Sequence, residues 1–115
     1  MKAETLAKKV VKGLDEMKAI DIRSIDVKKL TSVTDIMIIA SGRSDRQVRA
    51  LAQKAVEIAK NAEATVLGTE GEREGQWILV DLGDVIVHLM HPTARAYYQL
   101  EKLWVEAGQQ ARSSR

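Results

Sequence analysis

Apolar residues recur three and four positions apart at the start of the chain: Ala3, Leu6, Ala7, Val10, Val11, Leu14 and Met17. Lys2, Lys8, Lys9, Lys12 and Glu16 fall on the opposite side, so the period predicts an amphipathic helix. The segment Asp21–Val27 is short and rich in β-branched residues, which suits an edge strand. In "TDIMIIASG" (Thr34–Gly42) the run Ile36–Ala40 is apolar at every position. A strand of that kind belongs in the middle of a sheet covered on both faces.

The helical period returns with Val48, Leu51, Ala52, Ala55, Val56, Ala59 and Ala62. Ser44 and Gln47 stand just ahead of that stripe at capping-box spacing, with side chains able to satisfy two free helix amides. Residues 64–71 (ATVLGTEG), 76–82 (QWILVDL) and 84–90 (DVIVHLM) read as three strands of a meander. Gly71, Gly75 and Gly83 lie in the connections, and Asp81-Leu82-Gly83-Asp84 is short enough to require a hairpin turn. Pro92 suits the first position of a third helix, predicted to run on through Ala94, Tyr97, Leu100, Leu103 and Trp104. The pattern predicts α-β-β-α-β-β-β-α: an α/β (α+β) fold with a mixed sheet of about five strands and three helices packed on it. Residues 1–107 form one domain in this reading, and the polar tail 108–115 is expected to be disordered.

At 115 residues the chain has room for one core, and without Phe that core rests on Val, Ile, Leu, Met and Ala. The absence of Cys excludes disulfides, thiolate metal sites and a cysteine nucleophile. No apolar run reaches membrane-spanning length, and residues 1–20 lack the continuous apolar stretch of a signal peptide. The expected location is the cytoplasm, with no membrane partner. Net charge is only +2, but it is unevenly spread. Residues 1–60 carry thirteen Lys and Arg against eight Asp and Glu, a balance of +5; residues 61–115 carry five against eight, or −3. Opposite poles suit a partner with a basic surface, a self-contact between poles, or simply a solvated surface.

His88 and His91 raise the question of a metal site. Positions three apart in an extended chain point to opposite faces, and no third ligand stands at a recognisable spacing. His88 is read instead as a hydrogen-bonding group within or beside the core, and His91 as a cap for the helix that begins at Pro92. The stretch "ASGRSDRQ" has the strand–Gly-x-Ser–helix order with which nucleotidyltransferases hold a triphosphate. Such an enzyme needs carboxylates converging on metal ions, for which Asp81 and Asp84 are the candidates. Their spacing suits a turn better than a same-face pair. Ser41 and Ser44 lack a nucleophile elbow. Trp77 alternates onto one strand face with Leu79 and Asp81, opposite Gln76, Ile78, Val80 and Leu82. Its face is either covered core or an exposed patch with an aromatic anchor and an acidic rim.

"SGRSDRQVRA" (Ser41–Ala50) and "EGEREGQWILVDLGDVIVHLMHPTARAYYQLEKLW" (Glu70–Trp104), with their spacing, resemble the ribosomal silencing factor or iojap family. The likeness extends from the first helix to Trp104. It implies an α/β fold related to nucleotidyltransferases, with no established catalytic activity and no cofactor or metal. It further implies binding to the large ribosomal subunit through ribosomal protein L14 (uL14), on the surface that meets the small subunit. Occupying that surface would block subunit association and repress translation when nutrients are scarce; organelle relatives assist large-subunit assembly. Combined with strand alternation, the resemblance makes Trp77 the hydrophobic anchor of a protein-binding surface, with Leu79, Asp81, Leu82, Asp84, His91, Pro92 and Tyr98 around it. The competing readings are a metal-dependent nucleotidyltransferase-like enzyme, a large-subunit assembly factor, and a homodimer built through the Trp77 face. An incidental rRNA contact by the basic N-terminal half is a further expectation.

Overall fold

The computed structural model describes residues 2–99. Its elements are α1 (Ala3–Glu16), β1 (Ile20–Asp26), β2 (Ile36–Ser41), α2 (Asp45–Asn61), β3 (Gly68–Glu70), β4 (Trp77–Asp81), β5 (Val85–Met90) and α3 (Pro92–Tyr98). This is the order that the hydrophobic pattern predicts. The five strands form one sheet in the order β1-β2-β5-β4-β3, with β2 and β5 parallel and every other pair antiparallel. No helix among the described residues is long and apolar enough to cross a membrane.

Helices α1 and α2 cover one face of the sheet. Leu6, Val10 and Leu14 of α1 and Val48, Leu51, Ala55 and Ala59 of α2 pack over Ile38 and Ala40 of β2, Ile78 and Val80 of β4, and Val85, Val87 and Leu89 of β5. A smaller apolar cluster sits on the other face, where Val27, Met37, Ile39, Met90 and Ala94 are buried together. Two-sided cover explains why all six residues of β2 are buried, as a fully apolar central strand requires.

The junction between β2 and α2 is fixed by hydrogen bonds. Ser44 Oγ accepts from the Gln47 amide at 3.1 Å, while Gln47 Oε1 accepts from the Arg43 amide at 2.6 Å. The box is therefore reciprocal, but its return bond reaches one residue further back than the usual arrangement. A Cβ on Gly42 would lie 2.9 Å from the Val48 backbone nitrogen, so only glycine lets the first turn of α2 fold this close to the strand.

Two predicted boundaries shift. β3 is confined to Gly68–Glu70, because Glu63 adopts a left-handed conformation (φ 59°) at the end of α2 and 64–67 follows as a connection. α3 ends at Tyr98, where Gln99 turns left-handed (φ 48°) and its amide bonds back to the Arg95 carbonyl. Leu100, Leu103, Trp104 and the tail 108–115 lie outside the described residues.

Candidate partner-binding face

Strand β4 alternates: Ile78 and Val80 point into the helix-covered core, while Trp77, Leu79 and Asp81 point to the opposite face and stay partly exposed. In the β4–β5 ladder Trp77 pairs with Met90 and Leu79 with His88, which makes Trp77 and His88 diagonal neighbours on one face. The Trp77 indole Nε1–H donates to His88 Nδ1 at 2.9 Å. His88 is only 6% exposed, and burial pushes its imidazole down to about 4. The ring is therefore neutral at pH 7, and because Nδ1 accepts, its proton resides on Nε2.

Tyr98 approaches Trp77 from α3, ring centroids 4.8 Å apart at 48°, and Tyr97 packs edge-on against Tyr98 at 5.1 Å. Both tyrosines are largely open to solvent, 55% exposed at Tyr98 and 81% at Tyr97. The backbone beneath Trp77 is tied down. Arg49 of α2 donates to the carbonyls of Glu72 and Arg73 at 2.8 Å each, and Gln76 donates to Asp45 at 3.1 Å. His91 N bonds the Gln76 carbonyl at 2.9 Å, and His91 Nδ1 accepts from the Thr93 amide at 3.3 Å, capping α3 as expected.

The face runs from this aromatic end to an acidic one. Asp81 lies four residues along β4 from Trp77, about 13 Å at strand spacing. Its carboxylate accepts from the Gly83 amide at 2.9 Å and holds the hairpin turn, whose next residue is the exposed Asp84. The Asp84 carbonyl accepts from Asp35 N and Ile36 N, both at 3.0 Å, so Asp35 joins Asp81 and Asp84 at that end of the sheet.

Of the eight residues of the expected surface, Trp77, Leu79, Asp81 and Tyr98 share the face, His91 borders it, and Asp84 marks its acidic end. Two depart. Leu82, at 6% exposure, belongs to the opposite core beneath α1, because strand alternation carries it to the face of Ile78 and Val80. Pro92 lies on the flank of α3 that also carries Arg95, Ala96 and Gln99, bordering a cleft against Ile20, Asp21 and Ser41, away from the Tyr98 side. The Trp77–His88 bond was not apparent in the sequence, since it depends on a diagonal register no local pattern encodes. The role of Arg95 was missed for the same reason: from α3 it donates to Ser41 Oγ at 3.1 Å and pairs with Asp21 at 3.5 Å.

The nucleotidyltransferase arrangement requires Asp81 and Asp84 beside the Ser41–Ser44 turn. The parallel register of β2 and β5 pairs Ile36 with Val85 and Ser41 with Met90, so the carboxylates and the turn stand at opposite ends of the sheet. Ser41 is occupied by Arg95, and the space at Gly42 is filled by α2 itself. Among the described residues no group of three or more His, Asp or Glu is arranged to hold a metal ion.

Known proteins give the geometry its context. A sequence profile described as "Ribosomal silencing factor during starvation" matches residues 1–115. A ribosomal silencing factor from Chromobacterium violaceum is 43% identical over 104 residues, covering 90% of this chain and 85% of the relative. A crystal structure of a protein from the same organism superposes with a TM-score of 0.88 at 43% identity, over 90% of this chain and 87% of that one. A mouse protein named "Mitochondrial assembly of ribosomal large subunit protein 1" is 35% identical over 98 residues, covering 83% of this chain and 43% of its own.

Proposed function

The chain belongs to the ribosomal silencing factor family, and on that premise we propose that it represses translation by occupying a surface. In this reading the Trp77 face docks on ribosomal protein uL14 of the large ribosomal subunit and obstructs joining of the small subunit. The place of action is the cytoplasm. The observation that carries the proposal is the half-exposed Trp77–Tyr98 pair on the sheet face that α1 and α2 leave open, with Asp81 and Asp84 at its far end. An aromatic anchor supplies affinity at the centre of an interface. Carboxylates at its edge speed encounter with a basic ribosomal protein and discourage misdocking on rRNA phosphate. A body of 12.8 kDa then acts by its volume alone, without chemistry.

Co-sedimentation with purified large subunits, followed by a subunit-joining assay, tests the proposal. Trp77→Ala should weaken binding by about 2 kcal/mol or more, roughly thirty-fold, and restore joining. Unchanged affinity in the folded variant would remove Trp77 from the contact. Pull-down with isolated uL14 tests the named partner directly.

A second reading has one finding behind it. The mouse relative is named for assembly of the mitochondrial large subunit, and the same face on an immature particle would serve assembly. Accumulation of large-subunit precursors in cells lacking the protein distinguishes that role. A homodimer through the Trp77 face would compete with ribosome binding, and sedimentation velocity over a range of concentrations tests for it. Contact of the basic N-terminal half with nearby rRNA would be incidental to either role.

A further inference from the structure

A partly buried tryptophan at a surface is an anchor only if its ring stands where the partner needs it. Trp77 is half-buried at the end of β4, and Tyr98, itself largely exposed, borders its ring. Left to itself, such an indole exchanges among rotamers, and a partner must immobilise it on binding. Here one polar atom specifies the orientation. His88 is buried in β5 between Leu79 on one neighbouring strand and Ile39 on the other, so close packing restricts the rotamers open to its ring. Its Nδ1 faces the indole nitrogen at 2.9 Å, with ring centroids 5.8 Å apart. Rotating Trp77 away would break that bond and leave the buried imidazole nitrogen without its donor.

We propose that His88 is a positioning residue for the ribosome-facing surface: it never touches the partner, and it holds the Trp77 indole in the orientation the partner meets. The proposal rests on the reading of Trp77 as the anchor and adds a device to it. The consequence is pre-organisation, since the free protein already holds the bound rotamer and less freedom is lost on docking.

The test compares His88→Leu, which removes the acceptor, with His88→Asn, whose amide oxygen falls near the position of Nδ1. If His88→Leu does not fold, His88→Gln replaces it, its acceptor lying one bond further out. Two readouts are taken on the full chain. In the free protein, the indole N–H resonance of Trp77, identified by its absence in Trp77→Phe, should lose its protection from solvent exchange in the Leu variant and regain it in the Asn variant. In co-sedimentation with large subunits, His88→Leu should weaken binding about three- to ten-fold and His88→Asn should stay within two-fold of the parent. In a Trp77→Phe background, which has no N–H to hold, the Leu substitution should cost nothing further. An equal loss in that background makes His88 merely structural and overturns the proposal. So does full affinity of His88→Leu when Trp77→Ala is weakened. Full affinity of Trp77→Ala overturns the anchor reading itself, and this proposal with it.

Discussion

Stability below neutral pH offers a direct measure of the environment around His88. Burial holds its imidazole at about 4 in the folded protein, against the usual 6.5 in an unfolded chain. Protonation would place a charge inside the second apolar cluster and turn Nδ1 into a donor facing the Trp77 N–H. Between these two values the unfolded chain binds the proton and the folded chain does not, so stability rises with pH across the interval. The full contribution is present above about pH 6.5 and is lost progressively on acidification toward pH 4. At about 1.4 kcal/mol per pH unit, the loss from this one site reaches roughly 2–3 kcal/mol at pH 4.5. Carboxylates titrate in the same region, which a comparison removes: His88→Asn keeps every carboxylate and lacks the imidazole. Urea unfolding of parent and variant at pH 7.0, 6.0, 5.0 and 4.5 should give stability curves that converge or cross as pH falls. A difference between them that stays constant from pH 7 to 4.5 would refute the reasoning.

The division of β4 into two faces is tested by Leu82→Ala and Leu79→Ala. The first should cost about 2–5 kcal/mol of stability as a core truncation, with the affinity of the remaining folded protein intact; the second should cost less than half of that and weaken large-subunit binding, as read by denaturation and co-sedimentation. Gly71→Ala should lose about 1–3 kcal/mol of stability, because the position has φ +88° and the new Cβ would stand 2.1 Å from the Trp77 carbonyl oxygen. Asp81→Asn/Asp84→Asn should slow association with large subunits by roughly three- to ten-fold at low salt, keeping the turn intact because Asn still accepts from Gly83. The gap should close at about 300 mM salt, where screening acts within several ångströms, and stopped-flow kinetics at two ionic strengths would reveal a salt-independent defect if the charges play no part.

Local chemistry made most of the architecture readable. The 3.6-residue stripes of α1 and α2, the Ser44 cap, the apolar run of β2 and the proline that opens α3 each encode their element within a few neighbouring residues. The pattern extends β3 too far because Ala64–Leu67 carries strand-like residues, while the left-handed Glu63 sends that segment along the core as a connection. Strand alternation places Leu82 on the face of Ile78 and Val80, opposite Trp77, which is where its burial is found. Pairing across distance was not legible. The placement of β5 beside β2 decides that Asp84 and Ser41 are far apart, and the diagonal of the β4–β5 ladder decides that Trp77 meets His88. Both follow from long-range register, which neither propensity nor period contains.

The parallel pairing of β2 with β5 also carries a consequence for timing. It joins residues 36–41 to residues 85–90, while the chain between them supplies α2, β3 and β4. During synthesis β2 can find β1 early, but its other edge waits unpaired until Met90 has been made. Trp77 has neither His88 nor Tyr98 beside it before then. A nascent or prematurely terminated chain that lacks residues 85–90 therefore has neither the β2–β5 nor the β4–β5 pairing that builds this face. Any fragment ending before Met90 should be inert as a silencer, however well its first helix and hairpin form.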